Sequence, residues 1–187
     1  MDEPLSNLDA KLRAATRVEL VELQRRLDAT IVYVTHDQVE AMTMGRRVAI
    51  LDRGRLQQVG SPRDVYDRPA SLFVAGFVGT PPMNIVHGAA AAALARPGLH
   101  DVIVGVRPEH CTLVDGGTAG AFPATVDLVE HLGHEQHVIC RFPDGQPLTV
   151  RQASRLPAPA PQSAVWISPD PASLHFFDAT TGGRVES

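Results

Sequence analysis

Long apolar runs are missing from this chain of 187 residues. No stretch approaches the ~20 residues that cross a bilayer, and the first residues do not read as a signal peptide. Membrane contact is therefore expected to go through protein partners. Aromatic residues are scarce, at 5%, and the net charge is -4. A nucleic-acid binder needs basic groups for phosphates and aromatic faces for bases, so no nucleic-acid partner is expected. Cysteine occurs twice, as Cys111 and Cys140, far apart and outside any C-x-x-C pair. That pattern suits reduced thiols of a cytosolic protein and leaves a disulfide open. A phosphate-cradling G-x-x-x-x-G-K-[ST] loop is also absent; the pair Gly54 and Gly60 has the wrong spacing and no lysine.

What is present begins with two adjacent carboxylates, Asp2 and Glu3, then Pro4, a short polar turn and a strongly helical run. Leu12, Thr16, Leu20, Leu23 and Leu27 recur at helical spacing, with Arg13, Arg17, Glu22 and Arg26 elsewhere on the wheel. The pattern predicts a helix over 10–27, capped by Asn7 or Asp9, with one face packed on a sheet. Ile31-Val32-Tyr33-Val34-Thr35 is β-branched and apolar and stops at His36-Asp37. It reads as a buried parallel strand. Ligand groups of open α/β sheets gather at the carboxyl ends of such strands, which puts Asp2, Glu3 and His36 on one rim.

Asp37 followed by Glu40 resembles a capping box and predicts a short helix over 37–44. A β-hairpin follows, 48–51 and 55–59, turning at Asp52-Arg53-Gly54. Ser61-Pro62 starts a helix ending near Asp67, and residues 70–78 form another, closed by Gly79. Thr80-Pro81-Pro82 is the expected domain boundary, giving domains 1–79 and 80–187. Beyond it, strands are predicted at 102–106, 124–129, 137–142, 147–150, 165–167 and 174–177, suggesting a small barrel. Residues 89–95, an alanine run, are either part of a trimmed barrel or a helix. They lead into Arg96-Pro97-Gly98. The Pro- and Ala-rich tract 155–163 reads as an exposed loop.

Asp2-Glu3-Pro4, Ser6-Asn7-Leu8-Asp9 and Thr35-His36-Asp37-Gln38-Val39-Glu40-Ala41-Met42 together resemble the ATP-binding subunits of ABC transporters, the maltose-type sugar importers above all. The fold this implies is the α/β C-terminal part of a P-loop ABC ATPase domain, followed by a small all-β OB-like (TOBE) domain. The TOBE likeness rests on Met83-Asn84, Gly105-Val106-Arg107-Pro108-Glu109-His110, Val129-Glu130-His131-Leu132-Gly133, and Leu174-His175-Phe176-Phe177-Asp178 with Thr181-Gly182. By resemblance, Glu3 is the general base for the attacking water and His36 the switch histidine at the γ-phosphate. Asp2 is the carboxylate that organises Mg²⁺ through water. Ser6 to Asp9 form the loop that reaches across a dimer, with Ser6 and Asp9 at the nucleotide. ATP and Mg²⁺ are the implied cofactors. In this family the glycine loop and a Leu-Ser-Gly-Gly-Gln-type signature precede the Asp-Glu pair. The chain is therefore expected to start inside the strand that carries Asp2.

The implied partners are a second ATPase subunit, two transmembrane permease subunits and, indirectly, an extracytoplasmic solute-binding protein. The implied place is the cytoplasmic face of the membrane, held peripherally. The solute is a sugar or a related molecule. A rival reading is a non-catalytic regulatory or dimerisation module. His131, His134 and His137 have a tempting spacing for a metal, but in a strand-turn-strand segment residues three apart face opposite ways, and a solvated turn is expected instead. Arg107 and Glu109 suit a structural ion pair or a regulatory contact.

Overall fold

The computed structural model describes residues 1–95 and 98–185. The expected Arg96-Pro97 corner lies outside the described residues. The chain divides into two compact units, Met1–Pro69 and Ala70–Ser187.

In the first unit, α1 spans Ala10–Leu27. Asp9 caps it: Oδ1 accepts from the backbone N–H of Lys11 at 3.0 Å and of Leu12 at 2.9 Å. The helix closes on Asp28 in the left-handed conformation, φ 47°. None of its residues is buried. This corrects the expectation of a face packed on a sheet: Leu12, Val18 and Leu27 stay exposed. The reason lies in residues 31–35, which do not form the expected strand. Their only strand-like pairing among the described residues is with Met1 to Glu3, in one parallel bridge between Asp2 and Val34. Val34 N–H donates to Met1 O at 2.9 Å, and Glu3 N–H donates to Val34 O at 2.8 Å. Among the described residues no other strand flanks this pairing, so α1 has a ribbon beneath it and not a sheet.

Next comes α2, Gln38–Met44, capped by Asp37. The predicted hairpin is β1, Val48–Asp52, against β2, Arg55–Gly60. Its two turn residues, Arg53 and Gly54, both have positive φ, 48° and 75°. That is the requirement of a tight turn matched to the twist of its strands. Then α3, Pro62–Asp67, starts as predicted, with Ser61 Oγ accepting from Asp64 N–H at 3.1 Å.

The second unit opens with α4, Leu72–Phe77. The boundary therefore falls ten residues earlier than the proline pair suggests. Backbone bonds explain why: Leu72 N–H donates to Gly182 O, and Arg184 N–H donates to Ala70 O, each at 2.9 Å. Arg107, 1% exposed, adds a third tie. Its Nη1 donates to Ala75 O at 3.4 Å and to Val78 O, the carbonyls at the end of α4. A buried guanidinium needs such acceptors to offset its lost hydration.

There follow β3 (Asn84–Val86), α5 (Gly88–Leu94), β4 (Val102–Val106), β5 (Cys111–Val114), β6 (Phe122–His131), β7 (Glu135–Arg141), β8 (Pro147–Ala153), β9 (Ala164–Pro169) and β10 (Leu174–Asp178). Two antiparallel sheets result, in the orders β10-β4-β3 and β5-β9-β6-β7-β8. The edges β5 and β8 of the larger sheet lie near each other, which gives it the character of the expected small barrel. Alternate residues point inward: Val104 and Val106, Val126, Val138, Val150, Ile167 and Phe176 form the core. The six predicted strands are present, and the alanine run is helix α5. Two strands, β3 and β5, are additional. Both are too short, at three and four residues, to show alternation.

Asn84 ties the two sheets together. Its side-chain amide copies a strand residue: Nδ2 donates to Thr149 O and Oδ1 accepts from Thr149 N–H, both at 2.8 Å. Both cysteines are free and buried, so they are not bridged. Burial pushes the Cys111 thiol up to about 12, opposed by the Asn84 amide, and the Cys140 thiol to about 11.

Asn84→Ala strands the Thr149 N–H and C=O. The expected loss is about 1–3 kcal/mol of unfolding free energy, the usual cost of an abandoned partner; urea titration of the second unit measures it. A second expectation concerns the uneven cores. Among the described residues the first unit fully buries only Leu5, Val48, Ile50 and Val65 as apolar side chains, against most of the core in the second. Amides of residues 31–35 should therefore exchange with solvent faster than those of 102–106; equal protection in a dilute monomer would show the first unit to be self-sufficient.

Candidate functional site

Two of the three residues expected on one rim, Glu3 and His36, meet at the end of the parallel pairing. The two bonds between residues 1–3 and Val34 set Glu3 beside the chain two residues before His36. There Glu3 Oε1 and His36 Nδ1 are 2.9 Å apart. Both side chains are open to solvent, the imidazole 72% and the carboxylate 43% exposed. Glu3 takes a left-handed backbone, φ 43°, a costly conformation for a residue with a Cβ. It is held there from both sides: its N–H by Val34 O, and its C=O by Ser6, whose Oγ donates at 2.9 Å and whose N–H donates at 3.3 Å. Leu5, 1% exposed, anchors the turn between them.

The hydrogen bond to Glu3, and then its charge, raise the His36 pKa above the ordinary histidine value; Asp37 and Glu40 add to this. A raised imidazole pKa means that the ring is charged below about 6.5, the unfolded value, and that the stability its charge contributes is lost as pH rises through the folded one.

The other site residues predicted from sequence fall as follows. Asp2 is exposed and makes the parallel bridge with Val34. Ser6 secures the Glu3 carbonyl. Asp9 is the α1 cap, so its carboxylate is already engaged with two backbone amides. Among the described residues no group of three or more His, Cys, Asp or Glu side chains could hold a metal ion. An exposed Asp2 can still offer one oxygen to a magnesium ion that keeps its waters, since that ion asks little more of a protein. The histidine triplet is dispersed along the β6–β7 hairpin. His137 is buried, with Nε2 3.1 Å from Glu135 Oε1 and Nδ1 3.8 Å from Glu130 Oε2. Glu135 Oε2 accepts from Arg151 Nε at 2.6 Å. Burial pushes the Glu135 carboxyl up, but the bonds from Arg151 and His137 outweigh it and hold it below the usual carboxylate range. This is a structural ion network.

Sequence reasoning missed one residue of the rim. Glu40, expected to close a capping box on Asp37, turns inward instead. It is 3% exposed and takes Thr35 Oγ1 at 2.6 Å and Tyr33 OH at 3.1 Å. Its place in the first turn of a helix suggested capping; the two hydroxyls upstream at Tyr33 and Thr35 were the signal for the other partner. Burial, and then the charge and hydrogen bond of Glu40, push the Tyr33 phenol up to about 12.

Residues 104–177 match the family model of the TOBE domain, the class of module that the second unit therefore contains. The whole chain adds to this. It is 44% identical over 219 aligned residues to the diacetylchitobiose uptake system ATP-binding protein MsiK of Streptomyces coelicolor, covering 99% of this chain and 58% of that protein. It is 43% identical over 195 residues to the sn-glycerol-3-phosphate import ATP-binding protein UgpC of Cereibacter sphaeroides, covering 99% and 55%. It is 43% identical over 216 residues to UgpC of Cupriavidus pinatubonensis, covering 100% and 57%. The chain spans a little over half the length of these relatives. By sequence, then, it is kin along nearly its whole length to the ATP-binding subunits of sugar-type ABC importers. A likeness to the solved molybdate-binding protein ModG, covering 40% of this chain and 60% of that one at TM-score 0.36 and 15% identity, is too slight to establish a shared fold. No helix among the described residues is long and apolar enough to cross a membrane.

Replacing Glu3 by Gln removes the acceptor charge and should return the His36 titration toward the ordinary histidine range. NMR of the ring protons against pH reads this directly; an unchanged midpoint would mean that the pair does not persist in solution.

Proposed function

We propose that the first unit carries the water-activating part of an ABC-type importer ATPase, and that the second is its accessory TOBE domain. The observation behind this is the Glu3–His36 pair, 2.9 Å apart at the end of a parallel pairing in a chain so similar to ATP-binding import proteins. Glu3 is the general base. A carboxylate has two oxygens, so pairing through Oε1 leaves Oε2 to accept a proton from the attacking water. His36 holds that carboxylate in place and presents its remaining ring nitrogen, Nε2, outward as a donor to a phosphate oxygen. The hydrogen bond and charge of Glu3 raise the His36 pKa, which favours the doubly protonated ring that such a donor needs. Asp2 would hold the water shell of Mg²⁺, whose charge offsets that of the phosphates. Ser6 to Asp9 face a second ATPase subunit across the dimer. Ser6 also fixes Glu3, and Asp9 sets the start of α1.

The cofactors on this reading are ATP and Mg²⁺. The partners are the second ATPase subunit, two transmembrane permease subunits and, through them, an extracytoplasmic solute-binding protein. The subunit sits peripherally on the cytoplasmic side, and the solute is a sugar or a phosphorylated polyol. A second reading, a regulatory or dimerisation module without its own turnover, draws support from the second unit, which has its own core and the TOBE match.

Without a glycine loop and its lysine to hold the γ-phosphate, Glu3 has no aligned electrophile, and these 187 residues alone should not release phosphate from ATP. In an ATPase that joins this chain to such a loop, Glu3→Gln should bind ATP normally and lose about 10²–10⁴-fold in turnover. Equal turnover by the two forms would remove Glu3 from the mechanism.

A further inference from the structure

We infer that Glu40 is a positioning residue for His36, acting from beneath the rim through the Thr35 hydroxyl. The inference rests on the reading of His36 given above. Its starting point is that the ring, 72% exposed, has little packing around it. Apart from Glu3, what aims the imidazole is its own backbone, and that backbone is fixed on both sides.

On the near side, Thr35 Oγ1 donates to Glu40 Oε2 at 2.6 Å and accepts from Asp37 N–H at 2.9 Å. A hydroxyl has one proton and two lone pairs, so committing the proton to Glu40 turns a lone pair toward the Asp37 amide. The two bonds reinforce each other, and together they close a tight loop over His36. On the far side, Asp37 Oδ1 accepts from Val39 N–H at 2.8 Å and Glu40 N–H at 3.2 Å, which joins the loop to α2. Its Oδ2 lies 3.6 Å from Arg13 Nη1 on α1. Tyr33 OH, 3.1 Å from the same Oε2, ties Glu40 to the pairing segment upstream of the histidine. One buried carboxylate oxygen therefore collects the residue at −3 and the residue at −1 from His36, and the −1 residue passes the constraint to +1. Glu40 touches neither Glu3 nor any reacting group on this account; its role is carried wholly by geometry.

The test uses the chain as it exists and reads the ¹⁵N shift of His36 Nδ1 at one fixed pH, with Glu3→Gln marking the signal of an unpaired ring. Thr35→Val keeps the shape and removes the hydroxyl; Thr35→Ser keeps the hydroxyl. We expect Thr35→Val and Glu40→Ala to move the Nδ1 signal most of the way to the Glu3→Gln position, and Thr35→Ser to leave it near wild type. A signal that stays put in Thr35→Val, or that moves as far in Thr35→Ser, overturns the inference. Should Glu40→Ala unfold the first unit, the two threonine variants decide alone. The readout needs no ATP, so a failed catalytic role for Glu3 and a failed positioning role for Glu40 give different results.

Discussion

The first unit depends on a very small piece of parallel pairing. Two backbone bonds, Val34 N–H to Met1 O and Glu3 N–H to Val34 O, register the chain start against residues 32–34. Everything on the rim follows from that register. A slip of one residue would turn every side chain to the opposite face and carry Glu3 away from His36. The left-handed Glu3 is the visible cost. It is tolerated because its N–H, its C=O and the buried Leu5 behind it are all committed. Strain held at a polar, solvent-facing residue is more readily understood as serving chemistry than stability.

That small pairing also accounts for the contrast between the units. A parallel ribbon one bridge wide cannot cover an eighteen-residue helix, and α1 accordingly has no residue more than partly buried. In the second unit every strand has a partner, and single polar side chains complete what the ladders leave open. Asn84 serves as an extra rung between the sheets, and Arg107 gathers the closing carbonyls of α4. These are buried polar groups that bond to backbone atoms of neighbouring elements. That arrangement fixes relative position more firmly than apolar contact does.

Much of this was legible in the residues. Helical spacing of leucines, Ser61-Pro62 and the Arg53-Gly54 turn gave local structure that needs no distant partner. The strands of the second unit showed themselves by alternation. Residues 31–35 misled for a physical reason: a β-branched run reports what a segment prefers, while a strand exists only where neighbours supply bonds. The proline pair at 81–82 misled as a boundary because α4 is tied by its Leu72 N–H to Gly182 O and by the Arg107 guanidinium, both far along the chain. Of the site, Glu3 and His36 were visible through their resemblance to a known pattern. Glu40 was not, because helix position alone cannot tell a capping carboxylate from one drawn inward by Tyr33 and Thr35.

The central claim is that Glu3 and His36 work as one unit. A double-mutant cycle on ATP turnover, in an ATPase that joins this chain to a phosphate-binding loop, tests it most directly. If the pair acts together, Glu3→Gln and His36→Ala each remove most of the rate, and the double variant is scarcely slower than either alone. Losses that multiply in the double variant would mean that the two residues act independently and that their contact is incidental.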